Sequence, residues 1–452
     1  MSKMVLFHKT PAKWNKPSLI NSLNHDEPEL GQDTELNLDQ EIIEFIQTDL
    51  YVKLTKQLRN SLGIDELHIV QGYSPDENRN WSSGTSEGFF NIDENTIYWC
   101  IENPKKLLKF SDAKVVFSRG NYQYLHNYLA DNFISAPIWI NYPATALTFP
   151  HQESYFSYVD SVLQSTLNGQ QLIPAKIEGM VLEHNIEIGQ EEKLIEKINK
   201  LKEFIEGRRL ATRNVPYSVV LVDDKQTSTA LANVYPESLI HTYTKPSVSI
   251  DLDVRYSREF DIFFCGTTLQ STKNHIQFTN LLRILDEITD SSLRVGIAGD
   301  QGNIPAFTDE LSYKFENLTI ENLGEVSRED LFNLFNNSRT LVVLSGRDCN
   351  PRIIQEAGMC GAYVIAADTL SDGFEIFSSQ PLLGSIIPTK KASWFYQKNG
   401  NLIFDVDKAF AQKVLDKVNR ARFPYMVHRI AKSTYSIKNQ AHNLTDLIHL
   451  LS

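Results

Sequence analysis

Residues 341–375 read LVVLSGRDCNPRIIQEAGMCGAYVIAADTLSDGFE. The run Leu341–Leu344 is short and wholly apolar, the pattern of a strand buried on both faces. A polar loop, Ser345–Asn350, follows it. Asn350 suits a helix N-cap, and Pro351 suits the first helical position, where its missing N–H costs nothing. A helix over Arg352–Cys360 and a second strand over Tyr363–Ala366 complete the unit. A helix entered in this way presents free backbone N–H groups and a positive dipole end at the carboxyl edge of the sheet. Phosphate and diphosphate groups bind there, and ligands of open α/β sheets collect at the same edge.

Two carboxylates bracket this loop and helix. Asp348 sits in the loop, and Glu356 sits six residues past the cap, about 9 Å along the helix axis. Each carboxylate accepts two hydroxyl hydrogen bonds, so this spacing suits a ligand with hydroxyls at two separated places, a sugar and a ribose.

Working outward, the second half alternates regularly. Strands are expected at Asp261–Cys265, Leu293–Ala298, Leu318–Asn322 and Thr340–Leu344, with helices at His275–Ile288 and Arg328–Asn336. Short connections between them indicate a doubly wound sheet. In the first half, strand-like runs fall at Leu67–Val70, Thr96–Cys100, Lys114–Ser118, Ile138–Asn141 and Ser218–Val222. Residues 41–62 and 190–206 have helical spacing, and residues 17–40 are polar without periodicity, as in a long loop. Strands alternating with helices again indicate parallel α/β architecture. Three segments follow: an N-terminal Rossmann-like domain over 1–256, a C-terminal one over 257–425, and an amphipathic helix over 426–452 that crosses back to the first. The boundary falls in the polar stretch 241–259, which contains Pro246.

With its seven intervening residues, the pair Asp348 and Glu356 resembles the acid-x7-Glu motif of the retaining glycosyltransferases of the GT-B fold, sequence family four. The surrounding DCNPRIIQEAGMCGAYVIAAD resembles that family's acidic loop, Glu-Ala helix, glycine and following strand. Upstream, FDIFFCGTTLQSTKNH resembles the first strand of the nucleotide domain with its glycine turn and Lys-Asn. NLGEVSREDLFNLFNNS resembles the family's Gly-x-Val/Leu, helix and small-residue stretch. The resemblance spans about residues 258–376, in the right order. Residues 1–250 match no motif.

The resemblance implies two Rossmann-like domains facing across a cleft, with the first on the acceptor side and the second holding a nucleotide-diphosphate sugar as co-substrate. It also implies retention of configuration, no cofactor and no metal. Gly266 would be the turn that lets backbone approach the diphosphate, and Lys273 would neutralise it. Asp348, the catalytic-site acid, would hold donor-sugar hydroxyls. The amides near Asn350, Pro351 and Arg352 would hold sugar and phosphate, and Glu356 the ribose. The family usually has Arg where this chain has Thr267, and Glu where it has Asp348; Arg352 is the cation placed to replace the first. The acceptor stays open among glycan, lipid and small molecule.

Each of these residues also has a plainer reading. Glu356 and Arg352 are spaced for an i, i+4 surface ion pair. Asp348 is a common loop residue, Lys273 a common turn lysine, and Gly266 serves any tight turn. Arg119, at a strand end, faces either the cleft or solvent. His126 reads as structural. Asp251-Leu252-Asp253 spells the DxD of metal-dependent transferases, but it lies outside the nucleotide domain and reads as linker. Two other functions remain: a weakened nucleotide-sugar-binding or scaffold protein on the same fold, and an epimerase or phosphorylase.

Composition narrows the class. The chain has 452 residues and a net charge of -12, with 42% hydrophobic and 22% charged residues. Those proportions suit a globular protein of two or three domains. Its acidity gives no overall footprint for nucleic acid or anionic lipid. Cys100, Cys265, Cys349 and Cys360 form no CxxC pair and read as reduced thiols of a cytoplasmic protein. The N-terminal MSKMVLFHKTPAKW lacks a signal-peptide core, and no apolar run reaches the roughly 18 residues of a membrane span.

Overall fold

The computed structural model describes residues 1–9, 35, 40–72, 88–101, 104–119, 129–134, 136–142, 216–222, 228, 232, 235–247, 252–266, 273–299, 314–346, 351–370, 376–390, 395–396 and 402–452. The expected helix over 190–206 lies outside these residues, and so does the expected loop over 17–40, apart from Glu35 and from Gln40, which opens a helix. The chain divides into two compact units. Among the described residues, the first unit holds the eight strands of one sheet and the terminal stretch Ile437–Ser452. The second is Pro246–Ser436, which begins eleven residues before the expected boundary at 256/257.

The first sheet comprises β1 (Lys3–Lys9), β2 (Glu66–Gly72), β3 (Gly88–Asp93), β4 (Thr96–Cys100), β5 (Val115–Arg119), β6 (Ile138–Tyr142), β7 (Val219–Val222) and β8 (Leu239–Thr242). Their order is β3-β4-β2-β1-β5-β6-β7-β8, parallel except for the antiparallel edge pair β3 and β4. One face packs Val5, Phe7, Val116, Trp139 and Val220 around Phe110 and Trp99. On the other lies α2 (Leu50–Leu62), which buries Tyr51, Leu54 and Leu58. The helix expected over 41–62 is in fact two, α1 (Gln40–Thr48) and α2. Asp49 breaks it: its backbone is extended, and its carboxylate accepts hydrogen bonds from the amides of Tyr51 and Val52 at 2.7 and 3.2 Å. An aspartate caps a helix start more favourably than it continues one.

The second sheet comprises β9 (Phe260–Cys265), β10 (Leu293–Ala298), β11 (Leu318–Gly324), β12 (Ser338–Val343), β13 (Tyr363–Ala367) and β14 (Gly384–Ile387). Its order, β11-β10-β9-β12-β13-β14, is parallel throughout. Alternate residues face opposite ways, as the two-residue period of a strand requires. Ile262, Phe264, Val295, Ile297 and Val342 pack against α3 (His275–Ile288) and α6 (Lys408–Arg420). Phe263, Leu341, Val343, Val364 and Ala366 pack against α4 (Arg328–Asn336), α5 (Arg352–Met359) and α7 (Pro424–Tyr435). Both faces are covered, so the expected doubly wound three-layer arrangement is present.

Residues 426–451 form not one helix but two. After α7 the backbone is extended at Ser436 (φ -63°, ψ 141°), and α8 (Ile437–Leu451) begins. The Tyr435 carbonyl, freed at the break, accepts a hydrogen bond from the Ser247 amide at 2.7 Å. Only α8 belongs to the first unit, where its Leu444, Leu447 and Ile448 are buried and it lies along α2.

Arg258 ties the start of β9 to its neighbours. Its guanidinium donates to the carbonyls of Phe335, Ser338 and Cys360 at 3.0, 2.7 and 2.9 Å, and its Nε donates to Arg255. Burial lowers its pKa to about 10. Arg258→Met keeps the apolar stem and removes every donor, leaving carbonyls at the ends of α4 and α5 unpaired. At about 1 kcal/mol per bond, it should cost about 2–4 kcal/mol. Chemical denaturation of the variant and the parent chain measures this directly.

Candidate functional site

In the second sheet, the order reverses between β9 and β12: β10 and β11 extend one way, β13 and β14 the other. In open α/β sheets ligands bind at such a reversal, outside the carboxyl ends of the strands. Gly266 follows β9 directly and donates its N–H to the Ala298 carbonyl at 3.1 Å. A Cβ on Gly266 would stand 2.9 Å from Lys273 Cβ. Beside it, Gly299 has φ +140°, and a Cβ there would fall 2.0 Å from the Gly266 carbonyl oxygen. Gly299 in turn donates to the Gly324 carbonyl at 2.8 Å. The ends of β9, β10 and β11 are thus laced together by backbone alone, with no side chains between the turns.

Lys273 and Asn274 lead into α3. Asn274 is the only non-glycine residue at positive φ among the described residues, at 56°. Its side chain is buried, and its Nδ2 donates to the Leu344 carbonyl at 2.7 Å, joining the two sides of the strand-order reversal. Asparagine visits the left-handed region more readily than other side chains, and here it also supplies the donor. Because the side chain is used across the reversal, it caps nothing on α3.

Past β12 the chain continues through Leu344, Ser345 and Gly346. Asp348 and Asn350 fall outside the described residues, as does Thr267 on the other side of the reversal. Helix α5 begins at Arg352, so Pro351 holds the cap position rather than the first helical one; its ψ of 129° is still extended. Pro351 makes no side-chain cap on α5, whereas Asp49, Ser327 and Asp407 cap α2, α4 and α6. The N-cap residues of both α3 and α5 thus leave the helix start uncapped by their own side chains.

Glu356 is only 6% exposed. Its partner is Arg328, the first residue of α4, at 2.7 Å, while Arg352 is exposed. The i, i+4 surface pair read from the spacing is therefore absent. Burial pushes the Cys265 thiol up to about 11, with the charge of Lys273 lowering it and that of Glu356 raising it. Lys273 lies against Gly266, and Glu356 is held by Arg328, a residue the sequence reading did not name. Arg328 follows Ser327, whose hydroxyl accepts the Asp330 amide at 3.1 Å; this capping pattern, legible in SRED, marks the residue that points back at the site.

The first unit has its own reversal, between β1 and β5. Arg119 ends β5, half-buried with its guanidinium 4.1 Å over the Tyr51 ring. His8, near the end of β1, places Nε2 2.9 Å from the Asp49 carboxylate. Burial pushes the Asp49 carboxyl up, but the hydrogen bond and charge of His8, the charge of Arg119 and the Val52 amide outweigh it. They hold it at about 2. The sequence reading named Arg119 but not His8 or Asp49, because β1 was read only for its lack of a signal-peptide core. His126 and Asp251 lie outside the described residues; Asp253 is exposed, and its carbonyl accepts from Asn336. Cys100, Cys265 and Cys360 are free thiols. Among the described residues, no helix is long and apolar enough to cross a membrane.

No family model matches the chain, and no curated protein matches it. Among solved structures it is similar to the sucrose-phosphate synthase (tll1590) from Thermosynechococcus elongatus, at 10% identity over 100% of this chain and 99% of that one, with a TM-score of 0.49. It is similar also to WaaG, a glycosyltransferase involved in lipopolysaccharide biosynthesis, at 9% identity over 99% of each chain and a TM-score of 0.47. An alpha-glucosyltransferase (AGT) in complex with UDP aligns at 11% identity over 99% of this chain and 100% of that one, with a TM-score of 0.46.

The low Asp49 pKa makes a pH-dependent prediction. The folded value lies below the ordinary 3.8, so the unfolded chain takes up the proton first. The stabilisation is complete above about pH 4 and is lost as pH falls toward about 2. Asp49→Asn keeps a helix-capping oxygen but removes this charge. It should lower stability by about 2 kcal/mol at neutral pH, and the gap from the parent should close on acidification. Urea unfolding of both chains across that range tests it.

Proposed function

We propose that this chain is a GT-B glycosyltransferase that takes its sugar from a nucleotide-diphosphate donor, with retention and without a metal. What supports the reading is the strand-order reversal between β9 and β12, with Lys273 against Gly266 on one side and helix α5 carrying the buried Glu356 on the other. Gly266 lies too close to Lys273 to carry a side chain, and the N-cap residues Asn274 and Pro351 make no side-chain cap on α3 and α5.

The parts divide the donor between them. A diphosphate near Lys273 and the first turn of α5 would meet a cation and the positive end of the helix dipole, which stabilise the negative charge that grows on it as the glycosidic bond breaks. Glu356 accepts the two ribose hydroxyls. Its pair with exposed Arg328 holds the carboxylate in place, and that arginine can turn to the donor phosphates. Asp348 and the amides by Asn350 and Arg352 take the sugar. Charge on the leaving diphosphate is met by Lys273, Arg352 and helix dipole, so no bound cation is required. The first unit takes the acceptor, and Arg119, His8 and Asp49 at its strand-order reversal are the polar groups available there. A second reading, nucleotide-sugar binding without turnover, is favoured by Thr267, which stands where the resemblance places an arginine.

Lys273→Ala should weaken nucleoside-diphosphate binding by about 1.5–3 kcal/mol and leave nucleoside binding unchanged, as calorimetry would show. Equal losses for the two ligands would remove Lys273 from the diphosphate site. Glu356→Gln should lower donor affinity by about 1–3 kcal/mol, and a donor lacking the ribose hydroxyls should lose little more on the same substitution. Additive losses would return Glu356 to a structural role. Transfer that survives EDTA and yields a product of unchanged anomeric configuration by NMR supports the full reading. Donor binding with no transfer to any acceptor offered supports the second.

A further inference from the structure

The opposite, amino edge of the second sheet holds a cleft of about 570 Å³ lined by residues of the second unit alone. Tyr256, Leu382 and Phe423 are among its walls, with Lys417, Arg420 and Arg422. Tyr425, in the first turn of α7, stacks on Tyr256 with ring centroids 6.5 Å apart, and Met426 follows it. Tyr256, Phe423 and Tyr425 are 76%, 62% and 55% exposed. Five of the twelve exposed large apolar or aromatic side chains among the described residues are therefore in this one place. Apolar surface gathered like this marks an interaction site, whereas singly scattered residues need no explanation.

The charge here runs against the rest of the protein. The net charge of the chain is -12, yet between Asp416 and Asp446 the sequence has no acidic residue. That interval carries Lys417, Arg420, Arg422, Arg429, Lys432 and Lys438. The two carboxylates on the cleft wall are already engaged, Asp261 with Arg339 and Glu259 with Arg294 at 2.9 Å. Aromatic rings ringed by arginine and lysine, with local acids neutralised, match the interface of a bilayer: the rings sit at headgroup depth and the cations face lipid phosphates.

We propose that this face docks on a phospholipid bilayer carrying anionic headgroups, with Phe423, Tyr425 and Tyr256 entering the interface and Arg420 and Arg422 holding phosphates. The docking is independent of donor binding, which uses the other edge of the sheet, and its test does not use transferase activity.

The test is co-sedimentation of the full chain with vesicles of phosphatidylcholine alone or of equimolar phosphatidylcholine and phosphatidylglycerol. Binding to the anionic vesicles should exceed binding to the neutral ones and should weaken as salt is raised. Phe423→Ser with Tyr425→Ser should abolish pelleting. Arg420→Gln with Arg422→Gln should weaken it roughly fivefold per charge, on the order of 30-fold together. Lys53→Gln with Lys114→Gln, the same charge change on the first unit, should leave it unaltered. Thermal unfolding of each variant confirms a folded chain. Absence of pelleting with anionic vesicles overturns the proposal, as does an equal loss in the Lys53 and Lys114 variant. Self-association by light scattering that the Phe423 and Tyr425 changes abolish would assign the face to a second copy and overturn it as well.

Discussion

A parallel sheet has no solvent-facing side to spare, so every strand must be apolar on both faces and helices must cover each. In the second unit this constraint is met residue by residue: Phe263 faces α5 and Phe264 faces α3, and Leu341 and Val342 divide in the same way. Polar groups are thereby driven off the faces to the two edges. What the protein can do chemically is written where strands end, at Gly266 and Leu344 on one edge and at Asp261 and Arg339 on the other.

The two edges differ in how their polar groups are used. At the carboxyl edge, backbone does most of the binding: glycine turns lie against one another, and Asn274 spends its side chain joining β12 to α3. At the amino edge, Arg258 and Arg339 are consumed by carbonyls and by Asp261, so their charge serves the fold. Cations on the following helix and link are the ones left to meet something outside.

The sequence made the second unit legible because its elements follow each other with short connections and its central strands are apolar runs; the edge strand β11, LTIENLG, is half polar. Arg328–Asn336 is found at the expected bounds, and β9, β10 and β12 within a residue or two of them. It was less legible where tertiary context overrides a local pattern. Glu356 is spaced to pair with Arg352, but α5 turns that face inward, and Arg328, distant in sequence, reaches it instead. Asp49 interrupts an otherwise helical run, and Ser436 another; a single capping or extended residue is a weak signal inside strong periodicity. β1 was hidden because a strand of seven residues at the chain start has no partner nearby in sequence: β2 lies beyond residue 65 and β5 beyond 114. The acidic average of the chain likewise conceals an acid-free interval near its end.

The break at Ser436 also has a temporal meaning. Synthesis runs from the N-terminus, and domains tend to fold as they emerge. The second unit is complete once Ser436 has been made, but α2 lacks its neighbour until α8 is out, since Leu444, Leu447 and Ile448 follow the whole of the second unit in sequence. The half that is translated first is therefore finished last. Its core waits, with one helix face open, through the synthesis of everything that follows.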